Sequence, residues 1–255
     1  MMNLYFIKQN IMDNQQWLKE YTTGLAAPIE SFLESKILNS EFFIIMYEER
    51  AVGFFAILNQ EQITLFFITQ AYRRYSQEIF FHVKRMQKVQ LAFVPTCDQF
   101  FLSHALDEHK RLDIQAYFFQ DTGKAAELNA GIIVQLAQPQ DCQEILSKSD
   151  GFFDDLETRI VKGQIYIAEK DKSTVGFGII ENGILLSQYA SIGMFTLPEY
   201  RQKGIGRNIL FYLKERVYAG QRRPIAGCWY YNHFSKKALE GAGMYTDTRL
   251  IKVYF

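Results

Sequence analysis

The stretch LPEYRQKGIGRNIL, residues 197–210, joins a predicted strand to a predicted helix. The run SQYASIGMFT (187–196) before it contains the β-branched and aromatic residues that are typical of a strand. Apolar residues recur at helical spacing over 209–217, so we expect a helix that begins at about Gly206. The first backbone N–H groups of a helix have no partner within the helix, and they favour an anion.

Two glycines and three basic side chains make the start of this helix suitable for phosphate. Gly204 and Gly206 permit a positive φ and let the backbone approach a ligand closely. The positive charge comes from Arg201, Lys203 and Arg207. The chain has no Walker A loop, and Ile209 stands where a dinucleotide fingerprint needs its third glycine. The stretch therefore predicts an anion site of another kind.

The composition excludes several classes of function. The 255 residues are 48% hydrophobic and 22% charged, which is typical of one or two globular domains. A net charge of zero gives no basic face for nucleic acid. The three cysteines form no CxxC pair or Cys/His cluster, so we expect neither a metal site nor disulfides. No apolar run approaches the roughly 20 residues that span a bilayer, and no signal peptide is evident. We expect a cytoplasmic protein without a membrane partner.

The chain repeats itself weakly, because five stretches of the first half match five of the second in the same order. Two of these matches share Val-Gly-Phe or Tyr-Arg. The matched pairs are 5–18 with 133–146, 42–57 with 165–180, 65–74 with the stretch from 193, 79–85 with that from 209, and 111–119 with the C-terminus. Each copy predicts a strand, a helical stretch, three strands, a helix, a strand, a helix and a last strand. We therefore expect a domain at 1–120, a linker at 121–130 and a domain at 131–255.

Two signatures in the second copy resemble those of the GCN5-related N-acetyltransferases, the GNAT superfamily. PEYRQKGIG (198–206) is similar to the R/Q-x-x-G-x-G/A loop of that family. YYNHFSKKALEGAGM (230–244) is similar to its second signature, in which an Asn follows the next strand and a short helix ends in Gly plus an apolar residue. The resemblance covers 131–255 directly, and 1–120 only through the internal repeat.

The resemblance implies the fold class. We expect an α+β (mixed α/β, three-layer) protein with two tandem GNAT-like domains, each a twisted, mostly antiparallel mixed sheet flanked by helices. Each copy stops after its sixth predicted strand, which leaves a gap in the usual sheet of the family. The other half of the chain or another subunit is expected to fill that gap.

The resemblance also implies acetyl-CoA as acyl donor and no metal. The pyrophosphate would lie on the backbone of residues 201–207, and the pantetheine arm would add to residues 194–196 as a strand does. A backbone N–H near Met194 would polarise the thioester carbonyl. The implied cofactor-binding residues are Met194, Phe195, Thr196, Arg201, Gln202, Lys203, Gly204, Ile205, Gly206, Arg207, Asn232 and Ser235.

The implied reaction is acetyl transfer to a primary amine by direct attack in a ternary complex. Many relatives carry a tyrosine where this chain has Leu239, and some carry a Glu base near the position of Ala190 or Ser191. Neither group is available here. The remaining candidates are Tyr189, Tyr230, Tyr231 and His233, of which we take Tyr189 and Tyr231 as the candidate catalytic residues.

The matching corner of the first copy, TQAYRRYSQEIF (69–80), contains no glycine. Ser76, Gln77 and Glu78 occupy the loop, and Glu78 would repel phosphate. Asp98 is the residue nearest to the position that matches Asn232. We therefore expect this copy to have lost CoA binding and to pack against the second half, shaping one wall of the acceptor pocket.

Two alternative functions stay open. The protein could be a non-catalytic module that binds or senses acyl-CoA, or a transferase of another acyl or aminoacyl group. Its oligomeric state is either a monomer or a homodimer. The acceptor amine is unknown.

Overall fold

The computed structural model, which describes residues 3–86, 88–123 and 131–255, has the predicted element order in each half of the chain. The single helical stretch that was predicted after the first strand of each copy consists of two helices. The first half contains β1 (Leu4–Gln9), α1 (Gln15–Gly24), α2 (Ser31–Leu38), β2 (Glu41–Tyr47), β3 (Arg50–Leu58), β4 (Gln62–Ile68), α3 (Ser76–Lys84), β5 (Leu91–Pro95), α4 (Gln99–Leu106) and β6 (Arg111–Asp121).

The second half has the same order. It contains β7 (Ile133–Leu136), α5 (Cys142–Lys148), α6 (Leu156–Val161), β8 (Ile165–Lys170), β9 (Ser173–Asn182), β10 (Tyr189–Thr196), α7 (Ile205–Ala219), β11 (Arg223–Trp229), α8 (His233–Gly241) and β12 (Met244–Tyr254). Short 3-10 helices precede α1, α3, α5 and α7: Ile11–Asn14, Gln70–Tyr75, Pro139–Asp141 and Pro198–Tyr200.

The chain divides into two compact units whose boundaries differ from the predicted domains. Unit 1 is Met1–Tyr117 with Thr248–Phe255, and unit 2 is Phe118–Asp247. The end of the second half thus belongs to unit 1, whereas the sequence placed it with 131–255. The predicted linker 121–130 lies outside the described residues beyond Gly123.

The strands of unit 1 lie in the order β1-β2-β3-β4-β5-β12. All their pairings are antiparallel except the parallel pairing of β4 with β5. β12 pairs with β5 from Leu250 opposite Pro95 to Tyr254 opposite Leu91, so the last strand of the second half fills the gap that was expected in the first. A core rich in phenylalanine, including Phe55, Phe66, Phe80 and Phe101, packs helices on this sheet.

The strands of unit 2 lie in the order β6-β11-β10-β9-β8-β7, and β6 contributes to this unit with its last residues, 118–121. The pairings β7–β8, β8–β9 and β9–β10 are antiparallel, and β10–β11 is parallel. Helices α5 and α6 pack on one face through Ile145, Leu156 and Ile160, against residues of β8 and β9 such as Ile165 and Phe177. Helix α7 packs on β9 and β10 from the other face. Each half therefore builds the predicted mixed, mostly antiparallel sheet flanked by helices.

The repeated Val-Gly-Phe has the same structural cause in both units. A Cβ on Gly53 would lie 2.1 Å from the carbonyl oxygen of Phe67, and a Cβ on Gly176 would lie 2.5 Å from that of Phe195. Both distances are shorter than any real Cβ contact, so only glycine lets these neighbouring strands approach. The sequence repeat is thus also a repeat of backbone geometry.

A buried ion pair holds α7 in place. The Nζ atom of Lys214 lies 2.5 Å from Oδ1 of Asp121 and donates to the carbonyl of Ala242 at 2.7 Å. The side chains of Lys214 and Asp121 are only 3% and 2% exposed. The hydroxyl of Tyr218 donates to Oδ2 of the same Asp121 at 2.6 Å, and burial together with this carboxylate raises the pKa of Tyr218 to about 12. Asp121, predicted as the first linker residue, is therefore the buried end of a strand.

The described residues lack two features, a membrane-spanning helix and a cluster of metal ligands. No helix there has the length and apolar character needed to cross a bilayer. No cluster of three or more His, Cys, Asp or Glu side chains there could hold a metal ion.

Candidate active site

Strands β10 and β11 separate along their length. They pair only from Tyr189 opposite Arg223 to Ser191 opposite Ile225. On its other side β10 stays paired with β9 as far as Thr196 opposite Gly176. The wedge between β10 and β11 opens toward the C-terminal ends of both strands, which lie at the same edge because the strands are parallel. Residues 192–196 therefore pair with β9 on one side and face this wedge on the other.

Helix α7 begins at the open end of the wedge. Gly204 caps the helix with a φ of +79°, and Gln202 has a φ of +60°. A Cβ on Gly206 would lie 3.0 Å from the sulfur of Met194 and 3.1 Å from Oγ1 of Thr196. The left-handed backbone turns the chain directly into the helix, and the missing side chain at 206 lets the first turn of α7 lie close against Met194 and Thr196 of β10. The predicted glycine corner and the predicted strand thus lie against each other.

The basic side chains of this corner lie at the surface. Arg201 Nε donates to the carbonyl of Thr196 at 3.2 Å, and Lys203 Nζ donates to that of Glu199 at 2.8 Å. Arg207 is exposed on the first turn of α7. These cations and the helix start act in the same direction, since both favour negative charge at one point.

The second predicted signature forms the start of α8. Asn232 follows β11 and caps the helix, because its Oδ1 accepts from the backbone N–H of Ser235 at 3.0 Å. Both residues stand at the C-terminal edge where the wedge opens. Leu239, which replaces the tyrosine of many relatives, is 3% exposed and packs in the core. A leucine there contributes packing and no proton.

The structure places the two candidate catalytic tyrosines at different ends of the wedge. Tyr189 lies at the closed end, opposite Arg223, about 16 Å from Met194 at the usual rise per residue. Tyr231 lies at the open end beside Asn232, is 59% exposed, and contacts the ring of Trp229 at 5.1 Å between centroids. The roles of both tyrosines, and of the neighbouring Tyr230 and the exposed His233, stay predictions.

One carboxylate near this site was missed by the sequence reasoning. Some relatives carry the acid on the strand that corresponds to β10, near the position of Ala190 or Ser191. Ser191 pairs directly with Glu181 of β9, so the carboxylate lies on the adjacent strand. Glu181 precedes an Asn-Gly pair that signalled a hairpin, but the connection occupies 183–188, so the turn signal alone did not give the register.

The matching corner of unit 1 is closed by side chains. β4 and β5 also pair only at their start, at Gln62 with Leu91 and Ile63 with Ala92. Between 61 and 86, however, no described residue has a positive φ. Ser76, the first residue of α3, bonds through Oγ to Nε2 of His104 at 2.7 Å.

Aromatic rings occupy the remaining space at that corner. Phe66 stacks on Phe100 at 5.6 Å, and Phe100 contacts His104 at 4.4 Å. The guanidinium of Arg73, the counterpart of Arg201, lies 4.8 Å over the ring of Phe100. Burial lowers the pKa of His104, so the imidazole is disfavoured as a cation. In unit 1 the protein's own side chains therefore pack at the corner that corresponds to the wedge of unit 2.

Comparison with known proteins gives the family. The model of the Acetyltransferase (GNAT) domain matches residues 10–122, and a second model with that description matches residues 161–246. The chain belongs to the GNAT superfamily. Its two GNAT domains are in tandem, as the repeat and the two signatures predicted, and the match to 10–122 shows directly a resemblance that the sequence reasoning reached only through the repeat.

Solved structures agree on the GNAT fold. An acetyltransferase of the GNAT family from Colwellia psychrerythraea has a TM-score of 0.89 at 18% identity, with 99% of both chains covered. A tandem GNAT protein from the clavulanic acid biosynthesis pathway has a TM-score of 0.66 at 14% identity, with 99% of this chain and 98% of that chain covered. A GCN5-related N-acetyltransferase from Sphaerobacter thermophilus has a TM-score of 0.65 at 12% identity, with coverage of 98% and 95%. A sequence search of curated proteins found no significant match.

Proposed function

We propose that unit 2 binds acetyl-CoA and transfers its acetyl group to a primary amine by direct attack within a ternary complex. The observation that carries the proposal is the opening of β10 from β11 beyond Ser191, next to the left-handed helix start at Gly204. A strand edge gives hydrogen bonds to an amide-containing chain, and a helix start gives them to a phosphate. The pantetheine arm and pyrophosphate of CoA require both at this spacing.

The remaining contacts follow from this placement. The arm would bond to the backbone of residues 194–196, and the pyrophosphate would lie on the amides of residues 201–207. Asn232 and Ser235 would contact the arm from the β11 side. The backbone N–H of Met194 would bond to the thioester oxygen and stabilise the negative charge that develops there.

The reaction balances as an acyl transfer. The neutral amine nitrogen forms a bond to the thioester carbonyl carbon, the C–S bond breaks, and CoA leaves as a thiolate that takes up a proton. The acceptor loses one proton to water or a side chain, because amines are mostly protonated at neutral pH. Tyr231, beside Asn232, is our first candidate for protonating the thiolate, and Tyr189 is the second. Orientation of the two reactants supplies much of the rate.

The test combines a thermal-shift titration with acetyl-CoA and a thiol-release assay with a panel of amines. A roughly hundredfold excess of acetyl-CoA over its Kd should stabilise the protein by about 2.7 kcal/mol. Gly204→Glu should abolish both stabilisation and thiol release, because it adds a carboxylate at the proposed pyrophosphate position. Gly123→Glu is the matched control, since its φ of +75° is close to the +79° of Gly204 and a Cβ at either position meets no atom within 4 Å.

Three outcomes separate the candidate functions. Stabilisation with thiol release supports the transferase. Stabilisation without thiol release across the panel favours the acyl-CoA-binding module, and thiol release only with another acyl-CoA favours transfer of that acyl group. If acyl-CoA does not stabilise the protein and Gly204→Glu behaves like the wild type, the proposal is wrong.

A further inference from the structure

Phe234 is the most exposed phenylalanine, tyrosine or tryptophan of the described residues. Its side chain is 68% exposed, and it is the second residue of α8. The exposed rings of Trp229 and Tyr231 contact each other at 5.1 Å, but no described ring or cation lies on Phe234. Single exposed rings are common at protein surfaces, so the position of this one in the fold decides what it can do.

Helix α8 places Phe234 on the side that faces the start of α7. Residues seven positions apart share one side of a helix, so Phe234 and Gly241 lie on the same side. A Cβ on Gly241 would lie 3.3 Å from Cδ of Arg207, which is in the first turn of α7. Phe234 lies about 10 Å from Gly241 toward the start of α8. Both helices begin at the edge where the wedge opens, so the ring stands near the glycine corner.

Unit 1 shows how far a side chain at this position reaches. Phe100 is likewise the second residue of the last helix of its copy, α4. Its ring stacks on Phe66 at 5.6 Å, and the guanidinium of Arg73 lies 4.8 Å over it. Phe66 and Arg73 match Met194 and Arg201 in the sequence repeat. A ring at this position therefore reaches both the separated strand and the corner that follows it.

The ring of unit 2 lacks the flat partners that cover its counterpart in unit 1. Arg201 lies over Phe195 instead, at 5.8 Å from the ring centre. Met194 replaces the phenylalanine of unit 1, and its sulfur lies beside Gly206. A flat group of a ligand at the corner can therefore stack on Phe234. Nucleobases stack readily on aromatic side chains, because every base has a π-face.

Positive charge lies on the same side of α8. Lys237 is three residues after Phe234 and exposed, and Arg207 lies beside Gly241. Among the described residues, no carboxylate pairs with Lys237 or Arg207. Glu240 pairs with Lys236 at 3.1 Å, so its charge is already compensated. The surface next to Phe234 therefore favours a phosphate.

We propose that this surface binds the adenosine 3′-phosphate half of CoA, with the adenine stacked on Phe234 and the 3′-phosphate paired with Lys237. The inference rests on the proposed binding of acetyl-CoA, because the adenosine is attached to the pyrophosphate that we place on residues 201–207. It also names the donor class, which is a free CoA thioester. A phosphopantetheine arm carried on a protein has no adenosine and would leave Phe234 and Lys237 without their contacts.

The experiment titrates three compounds into the full chain by calorimetry. CoA carries both groups, dephospho-CoA lacks only the 3′-phosphate, and 4′-phosphopantetheine lacks the whole adenosine half. We expect the Kd of dephospho-CoA to exceed that of CoA by about threefold to fivefold, as one exposed ion pair allows. The Kd of 4′-phosphopantetheine should exceed that of CoA by at least about fiftyfold, because stacking and two phosphate groups are lost.

A variant of the ring tests the stacking. Phe234→Ala should raise the Kd of CoA and of dephospho-CoA by about tenfold and leave that of 4′-phosphopantetheine unchanged, because only the first two compounds carry adenine. Phe234→Trp should keep the preference, since an indole also stacks. Phe32→Ala is the matched control, because Phe32 is the exposed second residue of another helix, α2.

A variant of the cation tests the phosphate contact. Lys237→Gln should raise the Kd of CoA by about threefold to fivefold and leave that of dephospho-CoA unchanged, because only CoA carries the 3′-phosphate. Lys170→Gln is the control, since Lys170 is an exposed lysine at the end of β8.

The outcomes separate this inference from the proposed function. Equal Kd values for the three compounds overturn the inference and leave CoA binding by unit 2 standing, as does a Phe234→Ala variant that loses nothing or loses equally for all three. Binding that depends on adenine and Phe234, without thiol release for any amine, supports the inference and overturns the transferase. Binding of none of the three compounds overturns both.

Discussion

Unit 1 passes from β4 to α3 with no left-handed residue among 61–86, whereas unit 2 passes from β10 to α7 through Gln202 and Gly204, both with positive φ. Both corners follow a Tyr-Arg pair and a strand that separates from its parallel neighbour. In unit 1 Ser76 bonds to His104 and aromatic rings pack at the corner, whereas in unit 2 Gly206 adds no side chain beside Met194 and Thr196. One architecture therefore has a corner packed with side chains in unit 1 and, in unit 2, the glycine corner at which we propose a ligand site.

A lysine at the matching position of each copy forms an ion pair, but the two pairs differ in burial. Lys214 of α7 pairs with Asp121, whose side chain is 2% exposed. Lys84 of α3 pairs with Glu108, whose side chain is 71% exposed. A carboxylate that loses water must be compensated by its partners, while an exposed one keeps its hydration. The pair in unit 2 should therefore matter far more to stability.

The largest effect is expected from breaking this buried pair. Asp121→Ala should lower the free energy of unfolding by about 3–5 kcal/mol, because it leaves Lys214 buried without its counter-charge. Glu108→Ala should cost less than about 1 kcal/mol. Urea denaturation of both variants measures the difference. Equal losses in the free energy of unfolding would show that burial of the Asp121–Lys214 pair does not raise its contribution to stability.

The second-largest effect is expected from replacing Gly206 with serine, the residue that unit 1 has at the matching position 76. Gly206→Ser should weaken acetyl-CoA binding by at least about tenfold, or roughly 1.4 kcal/mol, because the new Cβ and hydroxyl enter the space beside Met194 and Thr196. Titration calorimetry measures the Kd. Gly220→Ser, at the other end of α7, is the control, since its Cβ comes no closer than 3.4 Å to another atom. Unchanged binding in Gly206→Ser would remove that glycine from the proposed site.

A smaller effect concerns the caps of the last helix in each copy. Asp98 of unit 1 accepts from the backbone N–H of Phe101 at 2.9 Å, just as Asn232 caps α8. Burial raises the pKa of Asp98 to about 6, above the ~3.9 of an unfolded aspartate. The unfolded chain therefore releases this proton first, and Asp98 makes folding progressively less favourable between about pH 4 and pH 6.

Asp98→Asn should remove this pH dependence while it keeps the cap. A pKa of about 6 against ~3.9 corresponds to roughly 3 kcal/mol, and the loss of the carboxylate charge at the helix start offsets part of it. We therefore expect a gain of about 1–2 kcal/mol at pH 7 and almost none near pH 4. Denaturation profiles at several pH values test this, with Asp113→Asn as an exposed control. A variant that loses stability equally at every pH would contradict the argument.

The smallest effect is expected from the reverse exchange in unit 1. Ser76→Gly should leave the stoichiometry at one acetyl-CoA per chain, because Phe66, Phe100 and His104 still occupy the corner. Calorimetric stoichiometry is the measurement. Two bound acetyl-CoA molecules per chain would show that Ser76 alone closes the site.

Much of the candidate site could be predicted because its signals are local. Gly204 caps a helix after a strand, and Asn232 caps the next helix, and both follow from backbone preferences that a few adjacent residues decide. The spacing of apolar residues likewise predicts the repeat and the order of elements. Glu181 was missed because the pairing that brings it opposite Ser191 depends on the length of the connection at 183–188.

The sequence by itself determined that the chain holds two copies of one α+β unit and that only the second has glycines at the corner between strand and helix. Only the tertiary structure decided that Leu250 to Tyr254 pair with β5 of the first copy, that Asp121 is buried beside Lys214, and that Glu181 lies opposite Ser191. The physical reason is the separation along the chain between the residues that interact. Caps, turns and periodicity depend on neighbours in the chain, whereas strand partners and buried charges depend on which distant segments exclude water together.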